Sequence, residues 1–207
     1  LPKMTSACLI YKQKVVDAAI SLFFQKGFDG TSVRDIADQA GVNVSLISYY
    51  FKGKQGLFEH AVTVYYEEYL AEIEQLLRKK SLMPAIEQLK ELTFLIIQYK
   101  QKHLQLSCLI HRELSLDTIF VREMAVTYLA KEHYCIKKLF HAMLKEENRS
   151  QRDSGYLLMH LKGMLVTPYI LHNDWREQVV GSYSHDRFVA QYVKTVHQWI
   201  DFIASSS

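Results

Sequence analysis

The chain has 207 residues, 49% hydrophobic and 23% charged, with 25 Lys and Arg against 22 Asp and Glu for a formal net charge of +3. That is the make-up of an ordinary folded protein, long enough for one large domain or a small domain joined to a larger one. Three widely spaced cysteines, Cys8, Cys108 and Cys135, argue against a disulfide framework or a cysteine-built zinc site, and the longest apolar run, Leu92 to Ile97, falls far short of the ~18–20 residues that span a bilayer.

Only three prolines and eight glycines interrupt the chain, which favours helix throughout. No long apolar run follows Lys3, so no signal-peptide layout is expected, and the cysteine usage fits a reducing cytoplasm. The first helix is predicted from about Tyr11 to Lys26, with Val15, Val16, Ala19, Leu22 and Phe23 forming one apolar stripe ended by Gly27. Ser32 and Asp35 make a capping-box variant that opens a second helix, Val33 to Gln39. Gly41 supplies the positive φ that ends it, and Asn43 caps a two-turn third helix, Val44 to Tyr50. In that third helix Ile47 and Phe51 should face inward. Val44, Ser45, Leu46, Ser48 and Tyr49 then lie outward, with Tyr50 at the edge.

A long helix follows from Lys54 to about Lys80, and Ser81 to Pro84 breaks the chain. Further helices are predicted at about Ala85–Gln101, Leu104–Leu114, Asp117–Glu147, Gln151–Leu171 and Asp186–Ala204. A polar loop with Trp175 and Gly181 separates the last two. The expected fold is therefore all-α: a three-helix helix-turn-helix unit over residues 1–53, and a larger helical domain over 54–207.

Helix, hinge and short second helix are the layout that places a recognition helix in the DNA major groove. Ser45 can bond a base edge or phosphate and Leu46 can rest on a thymine methyl. Tyr49 and Tyr50 offer hydroxyls and flat rings to the sugar-phosphate wall. Lys52 and Lys54 supply charge, Lys54 at a helix N-terminus, while Thr31 and Arg34 are placed for a neighbouring phosphate. Tyr50 and Phe51 could equally be core aromatics, and two turn lysines an ordinary wet surface. Residues 1–60 carry seven basic and five acidic side chains, a net charge of only +2. One copy would bind weakly, so two copies held roughly 34–36 Å apart, reading a near-palindrome, are expected. The apolar stripes of the last two helices offer a pairing surface built on Leu158, Leu161, Leu165, Phe188, Tyr192, Val196 and Trp199; the alternative is that both stripes face their own core.

Enzyme motifs are missing: there is no Gly-rich phosphate loop after a strand, no HExxH and no GxSxG. His111 with Glu113, or His133 with Glu132, make poor acid–base candidates, and nine scattered histidines show no ligand spacing. No catalytic group, cofactor or metal is expected.

The segment FFQKGFDGTSVRDIADQAGVNVSLISYYFKGKQGL, within about Lys12 to Leu57, resembles the N-terminal domain of TetR-family regulators. The resemblance implies that the third helix reads the major groove, that the fourth carries it, and that the C-terminal helices form a dimer and often a ligand pocket. By position it gives the DNA-contact role to Thr31, Arg34, Ser45, Leu46, Tyr49, Tyr50 and Lys54. Ser45 stands where many members have glycine, and Ser48 where many have tyrosine, so the bases read are left open.

His111 to Tyr134 and Leu161 to Tyr169 are similar to TetR-like regulators of the division protein FtsZ in spore-forming bacilli. This likeness implies a cytoplasmic, nucleoid-associated dimer that binds a few chromosomal sites and acts on cell division at sporulation. Arg112, Glu113, Arg122 and Glu123 then read either as a partner surface or as local salt bridges. The competing reading is a ligand-responsive repressor of a neighbouring gene. Its small-molecule effector would enter a pocket lined by Phe94, Tyr99, Tyr128 and Met164.

Overall fold

A computed structural model describes residues 6–114, 118–149, 152–171 and 185–205; the expected loop with Trp175 and Gly181 lies outside them, as does the side chain of Cys8. Among the described residues all regular structure is helical. The N-terminal unit comprises α1 (Ser6–Lys26), α2 (Val33–Ala40) and α3 (Val44–Phe51). Then come α4 (Lys54–Lys79), α5 (Ala85–Lys102), α6 (Leu104–Glu113), α7 (Ile119–Met124), a π turn (Ala125–Leu129) and α8 (Ala130–Glu146). The chain ends in α9 (Ser154–Ile170) and α10 (His185–Ser205). Because α7, the π turn and α8 run on without a break, the described residues form nine helical rods, as the periodicity predicts. The π turn is the one departure within the long helix expected from Asp117 to Glu147.

Helix α4 serves two cores. At its start Leu57, Phe58 and Ala61 are buried with α1 and α3, and Phe58 meets Phe23 edge-on at 6.0 Å. Further along, Tyr65, Tyr69 and Ile73 are buried beside α5, where the Tyr99 hydroxyl donates to the Tyr65 carbonyl at 2.8 Å. Helix α5 is central to the larger domain and packs against α4, α6, α8, α9 and α10. Leu89, Leu92, Ile96 and Ile97 are fully buried there, each stabilising the fold by roughly 1.5–3 kcal/mol through burial.

Polar contacts fix the rods relative to one another. A Glu146 carboxylate oxygen accepts the Ala85 N–H at 2.7 Å, capping the start of α5. Arg149 Nε donates to the Ala204 carbonyl at 2.7 Å, serving the end of α10. Lys90 pairs with Asp201 at 2.6 Å and so ties α5 to α10. Pro168, inside α9, has no N–H to give the carbonyl of Met164. The Tyr192 hydroxyl from α10 supplies the missing donor at 2.7 Å. Deeper in, Lys100 and Glu132 form a buried ion pair at 3.5 Å. No helix among the described residues is long and apolar enough to cross a membrane.

Candidate nucleic-acid interface

Local capping makes α3 a defined helix despite its two turns, which alone would be marginal. Asn43 Oδ1 accepts both the N–H and the hydroxyl of Ser45, at 2.9 and 2.8 Å. Upstream, Ser32 and Asp35 cap α2 reciprocally, and those bonds hold the Asp35 carboxyl below its ordinary range. Gly41 at φ 65 ends α2, and Val42 N–H returns to the Ala37 carbonyl at 3.0 Å. Lys52, at φ 59, ends α3 with its N–H on the Ser48 carbonyl. Ile47 and Phe51 are buried, so α3 has an inward side and an outward one.

On the outward side lie Val44, Ser45, Leu46, Ser48, Tyr49 and Tyr50. Tyr49 is 78% exposed, far more than a ring of its size needs for anchoring. Its ring meets Tyr50 edge-on at 4.9 Å. Arg34 of α2 and Lys52 at the end of α3 are exposed as well. Lys12, from α1, was not singled out from the sequence; its ammonium lies 4.5 Å over the Tyr50 ring and adds a positive charge to the same surface. Only the fold could show that, because Lys12 and Tyr50 are far apart in the chain.

Two residues assigned to phosphate already have partners inside the protein. Thr31 is 1% exposed and its hydroxyl donates to the Gly27 carbonyl at 2.8 Å, closing the α1–α2 turn. The Lys54 ammonium donates to the Phe28 carbonyl at 2.7 Å and sits 4.4 Å over the Phe28 ring. Both side chains shape the turn that carries α2 and α3. At the start of α4, Gly53 offers no side-chain cap, so the first N–H groups of that helix stay open to an anion.

This arrangement of helix, αL hinge and outward-facing short helix coincides with a match of residues 15–61 to the model for bacterial regulatory proteins, tetR family. Over 190 residues, 91% of this chain and 91% of the other, the sequence is 38% identical to the "Probable HTH-type transcriptional regulator YttP" of Bacillus subtilis (strain 168). The chain belongs to the tetR family. It is a DNA-binding transcriptional regulator by that membership. A shorter match, 36% identical over 70 residues, covers 34% of this chain and 37% of the biofilm operon icaADBC negative transcriptional regulator IcaR of Staphylococcus aureus. Solved structures share the fold at low identity. FadR from Bacillus subtilis, in complex with stearoyl-CoA, superposes with TM-score 0.68 at 16% identity over 94% of this chain and 98% of that one. HlyIIR, a hemolysin II transcriptional regulator, gives TM-score 0.64 at 19% identity over 89% and 96%.

In this tetR-family chain much of the surface expected to pair two copies is taken up by the chain's own packing. Leu158, Leu161, Leu165 and Val196 are buried against the protein's own core, and Phe188, Tyr192 and Trp199 pack partly against it. The outer stripe of α9 carries Tyr156, Met159 and Ile170, each at least 59% exposed, and α10 adds exposed Phe202. Periodicity found the inner stripe because α9 is apolar on nearly every side.

Of the four residues expected to line a pocket, Met164 packs partly against the core. Phe94 lies at the surface, Tyr99 is bonded in the core, and Tyr128 stacks on Tyr66 at 5.0 Å. A half-enclosed cleft of about 480 Å³ lies elsewhere, between Phe28 of the α1–α2 turn with Phe58 and Glu59 at the start of α4, and Glu113, Phe120 and Glu123 of α6 and α7. It thus gathers Glu113 and Glu123, while Arg112 and Arg122 are exposed nearby on the same two helices. Of the weighed acid–base pairs, Glu132 is tied to Lys100, and burial with the Lys100 charge pushes the His111 pKa down to about 3. Among the described residues no group of three His, Cys, Asp or Glu could hold a metal ion.

Proposed function

We propose that the chain is a homodimeric, sequence-specific repressor that binds a near-palindromic operator through α3 and controls a neighbouring gene in response to a small molecule. The observation that carries this reading is the outward face of α3, where Ser45, Leu46 and Tyr49 are exposed, with Arg34 and Lys52 exposed as well and Lys12 over the Tyr50 ring. Leu46 and Ser45 address base edges, while Arg34, Lys52, Tyr50 and the open start of α4 hold phosphates. Residues 1–53 serve as the DNA-binding unit and 54–207 as the dimerisation and regulatory domain. IcaR supports the repressor reading by its description as a negative transcriptional regulator, and FadR, solved in complex with stearoyl-CoA, shares the fold.

A genome-wide pull-down of bound DNA, with an Arg34→Ala, Tyr49→Ala variant as control, tests it. One strong near-palindromic site overlapping a promoter is expected. The variant should lose about 1–3 kcal/mol per contact and with it most of the enrichment. Equal recovery by both proteins would sink the reading.

A second reading is favoured by the segments His111–Tyr134 and Leu161–Tyr169, which resemble RefZ, the TetR-like regulator of FtsZ. On this reading a cytoplasmic, nucleoid-associated dimer occupies a few chromosomal sites and contacts FtsZ through Arg112, Glu113, Arg122 and Glu123 during sporulation. Several sites away from promoters, with FtsZ co-purification lost in an Arg112→Ala, Arg122→Ala variant, would select it over the first.

A further inference from the structure

The cleft between the DNA-reading unit and α6–α7 is used by neither the recognition face nor the outer stripe of α9. Its volume, about 480 Å³, falls within the ~300–1,000 Å³ of small-molecule sites. Its floor is aromatic: the Phe28 and Phe58 rings are 5.8 Å apart, as are those of Phe58 and Phe120. Its rim is acidic, with Asp29, Glu59, Glu113 and Glu123 and no lysine or arginine among the described lining residues. Glu113 is half-buried, and burial together with Asp29 holds its carboxyl above the ordinary range.

The acids alone would not define a ligand; the half-enclosed volume lined by Phe28, Phe58 and Phe120 adds an apolar surface for one. The carboxylates do not converge on a point, since no three acids, histidines or cysteines among the described residues could hold a metal ion. A compact inorganic cation therefore suits the cleft poorly. A molecule with an apolar body can lie on the rings while its positive group sits among the separated carboxylates and over a ring face.

We propose that this cleft is the effector site of the repressor and takes an organic cation with an apolar body. The effector role rests on the repressor reading above, whereas the cation site does not. One wall belongs to the α1–α2 turn and the start of α4, which flank α2 and α3, and the other belongs to α6 and α7. An occupant bridges the two and resets the angle at which α3 is presented.

Calorimetric titration of the full chain without DNA tests the cation site. The probes are tetraphenylphosphonium, linear decyltrimethylammonium, and tetraphenylborate as an anion with the shape of the first. Saturable binding of at least one cation and none of the anion is expected. An E113Q/E123Q variant, isosteric at both positions, should weaken the cation about tenfold or more. No saturable binding of either cation, or equal binding by the variant, overturns the site. The bound cation is then added to the complex with the operator recovered by pull-down. Release from the native protein but not from the variant supports the effector role; binding without release overturns it. Absence of an operator would refute the repressor reading alone, because the titration contains no DNA.

Discussion

His111 shows what burial does to a single titratable side chain. Its ring lies nearly parallel to that of Tyr169 at 6.1 Å, and burial and the Lys100 charge push its pKa down to about 3, so the folded protein keeps it neutral. The unfolded chain protonates it below about 6.5. Between these values the unfolded state binds the extra proton, so stability is intact above 6.5 and is lost as pH falls toward 3. The slope is up to about 1.4 kcal/mol per pH unit, or about 2 kcal/mol between pH 6.5 and 5. His60, His103 and His133 are shifted the same way by burial and add to the decline. Urea unfolding across pH 5 to 7.5 should therefore show a shallower fall for His111→Gln than for the native protein. Parallel curves would place the ring in water.

At the scale of elements, the crossing of α3 and α4 decides how the recognition helix is held. Gly56 is the third residue of α4, and a Cβ there would run into the carbonyl of Phe51, the last residue of α3. Gly56→Ala should push α3 aside at a cost of about 1–3 kcal/mol. Operator affinity, measured by fluorescence anisotropy, should fall while the far helices keep their circular dichroism. Unchanged affinity would show that this crossing does not set the angle of α3. The outward face of α3 was legible in the sequence because its signals are local: Gly41, Asn43 and the spacing of Ile47 and Phe51 all lie within a dozen residues. The internal partners of Thr31 and Lys54 were not legible: residue type suggests phosphate, whereas the Gly27 carbonyl four residues back and the Phe28 carbonyl 26 residues back accept from their polar atoms. The cleft was illegible for a related reason. It joins residues near 28, 58 and 120, which only the packed fold brings together. The sequence left open which stripe of α9 faces the core because that helix has two apolar sides, and periodicity alone does not say which one the core takes.

For the whole molecule the argument turns on how two weak DNA-reading units become one strong one. A net charge of +2 over residues 1–60 neutralises few phosphates, so a single unit would be sensitive to modest salt. Pairing doubles those contacts if the outer side of α9 meets a second copy of itself. Tyr156, Met159 and Ile170 fall within one narrow stripe at helical spacing, and exposed Gly163 on the same stripe allows a partner helix to approach closely. Met159→Glu places a charge on that stripe without touching the core. Sedimentation should then give the monomer mass, with circular dichroism unchanged and operator binding lost at physiological salt. Leu161, on the inner side of the same helix, is fully buried. Leu161→Ala should do the reverse, costing about 2–5 kcal/mol of stability while leaving the folded protein dimeric. If Met159→Glu stays dimeric, the copies pair elsewhere; if Leu161→Ala alone breaks the dimer, the inner stripe takes part in pairing after all.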